Sequence, residues 1–193
     1  MLHAPIGTVS RVFPVGGVEV MLLGAFLSGA VCLLLALTLR GRLGVTAWTL
    51  AGLLWSVVVI GLITLIPAQG APGVVPAETR LTTCSWDIGG PAPEGFWIFS
   101  GGQRLLNTVV FVPSGVLLAQ TAVRWRSGWV TVPLGLGVLA TYSAGIEWTQ
   151  LELARIDRAC DVTDIIDNVT GAAIGVAAGL ALALVVRPWR RRR

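Results

Sequence analysis

Glu147, Gln150, Arg155, Asp161, Asp164 and Asn168 bring three carboxylates, two amides and a guanidinium into one short stretch of a very apolar chain. Carboxylates can move protons or hold a cation through oxygen. A guanidinium binds anions in a fixed fork, and amides orient what is bound. A helix through this stretch puts Asp161, Asp164, Asn168, Gly171, Gly175 and Gly179 on one face, each three or four residues from the last. Glu147 and Gln150 share a face with Ser143, one turn earlier. Asn107 has Arg104 one turn before it and Ser114 two turns after. Three helices packed together would gather these groups into one polar cup. Glu147, Asp161 and Asp164 would then be acid, base or cation-holding groups, Arg155 would contact an anion, and Asn107, Gln150 and Asn168 would orient the ligand.

Each group also has a purely structural use. Asp161 can cap a helix that begins just after it, with Asp164 in the first turn. Asn107 and Asn168 can hydrogen-bond between helices. Arg155 can pair with Glu152 or Asp157 at the surface for little energy. Glu152, Asp157 and Asp167 read as solvated or capping residues. Glu147 and Asp164 lie close to apolar runs, so each must be paired, protonated or wet. Arg104, Arg155 and Arg158 are the cations within reach.

The elements that carry these residues are membrane spans. The chain has 193 residues, 54% hydrophobic and only 12% charged, with a mean hydropathy of +0.79. Soluble domains carry about a quarter charged residues. The apolar residues fall in runs of about 20, enough to cross a hydrocarbon core of about 30 Å. The expected fold is an all-α, polytopic transmembrane bundle with spans at 18–39, 45–66, 105–123, 129–148 and 165–186. Residues 1–17 read as an irregular leader, 18–187 as one membrane domain, 67–103 as a long outer loop and 188–193 as a basic cytoplasmic tail. In that loop Phe96, Trp97 and Phe99 suit an aromatic anchor in the headgroup region. Gly24, Ser28 and Cys32 form a small-residue seam in the first span, and Gly171, Gly175 and Gly179 another in the last. Pro113 and Gly115 interrupt the third.

Every basic residue is arginine. Arg40, Arg42, Arg124, Arg126, Arg187 and the terminal arginines fall at one set of span ends, and the acids at the other. The positive-inside rule puts the N-terminus out, the C-terminus in and the acidic connector outside. The polar site then faces outward in a multi-pass protein of the cell membrane. The arginine tail suits anionic lipid headgroups, and a nucleic-acid partner is not indicated. Cys84 and Cys160 both fall in outer loops, where disulfides form; a bridge between them and two free thiols are the alternatives. The sequence has no H-E-x-x-H, G-x-S-x-G, Walker loop or C-x-x-C. No metal ligand set or cofactor motif is evident, although the acidic cluster could hold a divalent cation at a spacing unlike an EF-hand.

Four segments in series resemble the VanZ-like family of membrane proteins. They are Thr64-Leu65-Ile66-Pro67; Asn107, Phe111, Pro113 and Gly115 in an N-x-x-x-F-x-P-x-G pattern; Ile146-Glu147 with Gln150; and Arg155 followed by Asp161, Asp164, Asn168, Gly171 and Gly175. The resemblance covers about 62–180 and implies a bundle of four or five spans. The family takes its name from a protein associated with low-level teicoplanin resistance. It implies a cell-envelope protein that binds or modifies a polar ligand, lipid-linked or peptidoglycan-related. A non-enzymatic scaffold whose polar network only fixes helix packing is the other reading.

Overall fold

The structure is a computed structural model that describes residues 16–66, 83–86, 88, 102–153 and 160–186. Among these residues five helices run in order: α1 (Val18–Leu43), α2 (Val45–Leu65), α3 (Gly102–Ala122), α4 (Gly128–Leu153) and α5 (Val162–Val186). All five are long and apolar enough to cross a membrane. Among the described residues the only extended pairing is an isolated bridge between Ser85 and Asp161. The leader up to residue 15, the ring cluster at Phe96, Trp97 and Phe99, Arg155 and the 188–193 tail lie outside the described residues.

The helices overrun the expected spans, with consequences for the site. α1 does not stop at Leu39 but takes Arg40 and Arg42 into its last turn, where cations favour the helix dipole. Gly44 alone then joins α1 to α2, at φ +57°, a left-handed backbone that glycine adopts without cost. α4 continues past Trp148 to Leu153, so Glu147 and Gln150 lie inside the helix. α5 opens at Val162 rather than 165. Helical bonding lets the chain cross in these forms, since backbone groups in lipid must be satisfied internally.

Apolar side chains point outward as well as inward. Phe26, Leu34, Leu134, Val138 and Val185 are all exposed, which suits a lipid-facing surface. The core is small and central: Ile60, Phe111, Leu118, Leu139, Ile146 and Val176 pack together. Among the described residues α1 packs chiefly on α2, through Cys32, Ala36 and Ala51. Polar threads cross the apolar zone at single points. Ser56 and Ser114 hydroxyls share a hydrogen bond at 2.9 Å, Tyr142 donates to the Val57 carbonyl, and Gln120 donates to the Gly179 carbonyl at 2.6 Å.

The closest contact joins α3 and α5, which run parallel. A Cβ at Gly171 would strike the Thr108 carbonyl, one at Gly175 the Val112 carbonyl, and one at Gly179 the Val116 carbonyl. Gly115 faces the Ala172 carbonyl in the same way from α3. Small residues every fourth position let two membrane helices meet backbone to backbone. Pro113, grouped with these packing residues on sequence, is instead exposed. It follows Val112 by about 100° around the helix and so misses the seam.

Candidate functional site

At the end of the bundle where α2 and α4 finish and α3 and α5 begin, the seam becomes polar. Thr64, Asn107, Thr108, Ser143, Glu147, Gln150, Thr163, Asp164, Asp167 and Asn168 are all buried there. Each helix is tied to another. Arg104 on α3 grips Asp167 on α5 with two parallel bonds, Nε to Oδ2 at 2.8 Å and Nη2 to Oδ1 at 3.0 Å. Asn168 donates to the Ser143 hydroxyl of α4 at 2.9 Å. Gln150 donates from Nε2 to the Thr64 carbonyl of α2 at 3.0 Å.

The Arg104–Asp167 pair extends the glycine seam. Its partners are 63 positions apart, and the same interval relates Gly171 to Thr108, Gly175 to Val112 and Gly179 to Val116. Four-residue steps on both helices therefore hold one register from carboxylate to last glycine. Asp167, expected at the surface or as a cap, is fully buried. The correction has a plain cause: it lies one helical turn before Gly171, so it belongs to the α3 face. A buried carboxylate needs a paired charge, and the forked guanidinium supplies it.

Asp161 takes the capping place expected for it, just before α5. Its Oδ1 accepts the Thr163 N–H at 2.8 Å, the N-cap bond that satisfies an orphan donor at a helix start. Its own N–H donates to Glu147 Oε2 at 3.2 Å, which links the carboxylate of α4 to the mouth of α5. Asp164 stands in the first turn of α5 and is buried. Its field reaches Arg104, as does that of Asp161. Thus Glu147, Asp161, Asp164, Asn107, Gln150 and Asn168 all gather at one end, while Arg155 is outside the described residues. Among the described residues, no group of three or more His, Cys, Asp or Glu is arranged to hold a metal ion.

Two polar atoms in this layer stand out. Among the described residues, Asn107 Nδ2 and Gln150 Oε1 are buried and have no hydrogen-bond partner. A buried unsatisfied donor or acceptor costs about 1–3 kcal/mol. Neighbouring amides show that pairing is attainable here, which makes the two exceptions informative.

A covalent clasp fixes the mouth. Cys84 and Cys160 form a disulfide with Cα atoms 4.6 Å apart. Ser85 reinforces it: its N–H donates to the Cys160 carbonyl at 2.9 Å, and its carbonyl accepts the Val162 N–H at 3.1 Å. The segment 83–86 is thereby pinned to the start of α5, beside the Asp161 cap. Cys32, the third cysteine, is buried and free. The bond closes a loop of 76 positions. Reduction is expected to lower stability by roughly 4.5 kcal/mol at most on the chain-entropy account. Thermal unfolding with and without reductant measures this, and coincident curves would show that the clasp carries no stability.

Five apolar helices closed at one end by a buried polar layer define a multi-pass membrane protein built around an intramembrane polar cluster. Ionisable groups in such positions mark functional sites by default. The VanZ/LLP1 family model matches residues 31–185, and the chain belongs to that family. The match spans nearly all of the bundle and includes the whole polar layer. Searches among curated proteins and solved structures returned no match.

Proposed function

We propose that the polar end of the bundle binds the headgroup of a cell-surface ligand, lipid-linked or peptidoglycan-related, and that this end faces outward. The observation that carries the reading is the unpartnered pair, Asn107 Nδ2 and Gln150 Oε1. One is a donor and the other an acceptor, and a hydroxyl- or amide-rich headgroup offers both. Glu147, Asp161 and Asp164 are the carboxylates at hand for proton transfer or cation holding, with Asp161 also capping α5. Arg155 would meet the anionic part of the ligand. A divalent cation bridging ligand and carboxylates is compatible with this chemistry. Altered susceptibility to teicoplanin is the cellular effect that family membership suggests.

The test is Asn107→Leu. A ligand-binding amide whose Nδ2 has no partner among the described residues can be lost without harm to the fold. The variant is expected to keep the wild-type melting temperature in detergent or exceed it. It should also retain a lipid-linked peptidoglycan precursor about tenfold less well, the equivalent of about 1.4 kcal/mol, and shift teicoplanin susceptibility. Unchanged retention and susceptibility would discard the reading.

A second reading is a scaffold in which the polar layer only fixes packing. It is favoured by the three interhelical links from Arg104, Gln150 and Asn168. On that account Asn107→Leu changes stability at most and leaves precursor retention untouched.

The disulfide supports the outward orientation, because such bonds persist in oxidising compartments. After mild reduction of whole cells, a membrane-impermeant maleimide is expected to label Cys84, the partly exposed partner. Cys32, which is buried and free, serves as the internal control. Labelling that requires permeabilised cells would reverse the orientation.

A further inference from the structure

The opposite end of the bundle holds a second feature, which the polar layer does not explain. The turn between α3 and α4 opens onto a groove of about 510 Å³, bounded by Val123, Trp125, Arg126, Trp129, Val132 and Leu180. That volume lies within the roughly 300–1,000 Å³ of small-molecule sites. The walls are apolar and come from the α3–α4 turn, α4 and α5, while the rim carries a guanidinium. Trp129 is 81% exposed and Trp125 is also exposed, in the manner of rings that sit at the headgroup level.

The charge at this end has one sign. Among the described residues it comprises Arg40 and Arg42 at the close of α1, with Arg124 and Arg126 in the α3–α4 turn, and no carboxylate. The acids of α4 and α5 lie a membrane thickness away. Arg124 and Trp125 take part in contacts of their own within the protein. Arg126 is exposed beside the groove. Basic pockets between membrane helices are suited to anionic lipid headgroups.

We infer that this groove seats one anionic phospholipid, with its phosphate on Arg126 and an acyl chain along Val132 and Leu180. α4 begins at Gly128, so the positive end of its dipole faces the same phosphate. The aromatic pair brackets the glycerol region. The lipid fills the gap between the α3–α4 turn and α5, beside the Gln120–Gly179 hydrogen bond that ties α3 to α5 at this end.

Native mass spectrometry of the purified full-length protein, incubated with equal amounts of phosphatidylglycerol and phosphatidylcholine, tests this. The wild type is expected to retain one phosphatidylglycerol in preference. Arg126→Gln should lower that preference about five-fold, the factor equivalent to about 1 kcal/mol for one surface arginine. Arg40→Gln removes the same charge at the same end but away from the groove, and should change nothing. Equal retention of both lipids by the wild type overturns the inference. So does an equal loss in the two variants, which would reduce the effect to surface charge, or a second protein copy occupying the groove in place of lipid. If Arg126→Gln fails to fold, Leu180→Trp, which fills the groove from α5, carries the same expectation and the same overturning result.

Discussion

Asp167→Ala is expected to destabilise the bundle by roughly 3–5 kcal/mol, the range for removing one partner of a buried ion pair. The loss is large because it is not the loss of an attraction alone. Arg104 would remain within the helix packing with its carboxylate gone, and its side chain is only 13% exposed. A guanidinium cannot escape by giving up its proton. Its remaining route is to stretch toward the headgroups, at the cost of the α3–α5 register. Thermal unfolding in detergent measures the effect, with the Arg104→Met, Asp167→Leu double variant as the decisive companion. Replacing the whole pair with apolar groups of similar size is often neutral or better. The double variant should therefore recover most of what the single one loses, and the coupling between the two sites should be strongly favourable. A single variant that melts with the wild type would mean that the pair is a bystander.

Gly171→Ala is expected to cost roughly 3 kcal/mol or more, at the upper end of overpacking effects. The added methyl would meet the Thr108 carbonyl, which is backbone and cannot turn aside. Relief requires α3 and α5 to separate, and separation lengthens the Arg104–Asp167 contact one turn away. Two controls make the prediction specific. Gly137 and Gly145 on α4 face open space, so alanine at either should stay within about 0.5 kcal/mol of the wild type, as surface changes do. If all three variants melt alike, the close approach of α3 and α5 is not what holds the bundle.

Much of this could be read from the residues. Spans declare themselves by length and apolarity, and the five helices fall where composition puts them. The gathering of Glu147, Gln150, Asp164, Asn168 and Asn107 at one end followed from their positions at neighbouring span ends. The register was the harder part. Tracing the stripe through Asp161, Asp164 and Asn168 selects a face at alternating three- and four-residue steps. The strict four-residue series is Asp167, Gly171, Gly175 and Gly179, and it matches Arg104, Thr108, Val112 and Val116 on α3. That second series was present in the sequence, but nothing in one chain says which helix pairs with which. Parallel packing of α3 on α5, with α4 between them in sequence, is a tertiary fact. Asp161 shows the converse case. Its identity and the following Thr163 are the ordinary signature of a helix start, and local chemistry prevailed over the longer periodicity.

The α3–α5 seam also fixes the order in which the protein can be made. Its two halves are the third and the fifth of the described helices to leave the ribosome. For the time that α4 takes to emerge and turn back, Arg104 waits in the membrane without Asp167, and the glycines that will close the contact do not yet exist. Cys84 likewise waits for Cys160, which precedes α5 directly. Both the ion pair and the covalent clasp are completed by one late event, the arrival of the fifth helix. The seam and the clasp therefore close in a single step, and a chain stalled before it leaves an arginine and a thiol exposed to whatever insertion and quality-control machinery patrols the bilayer.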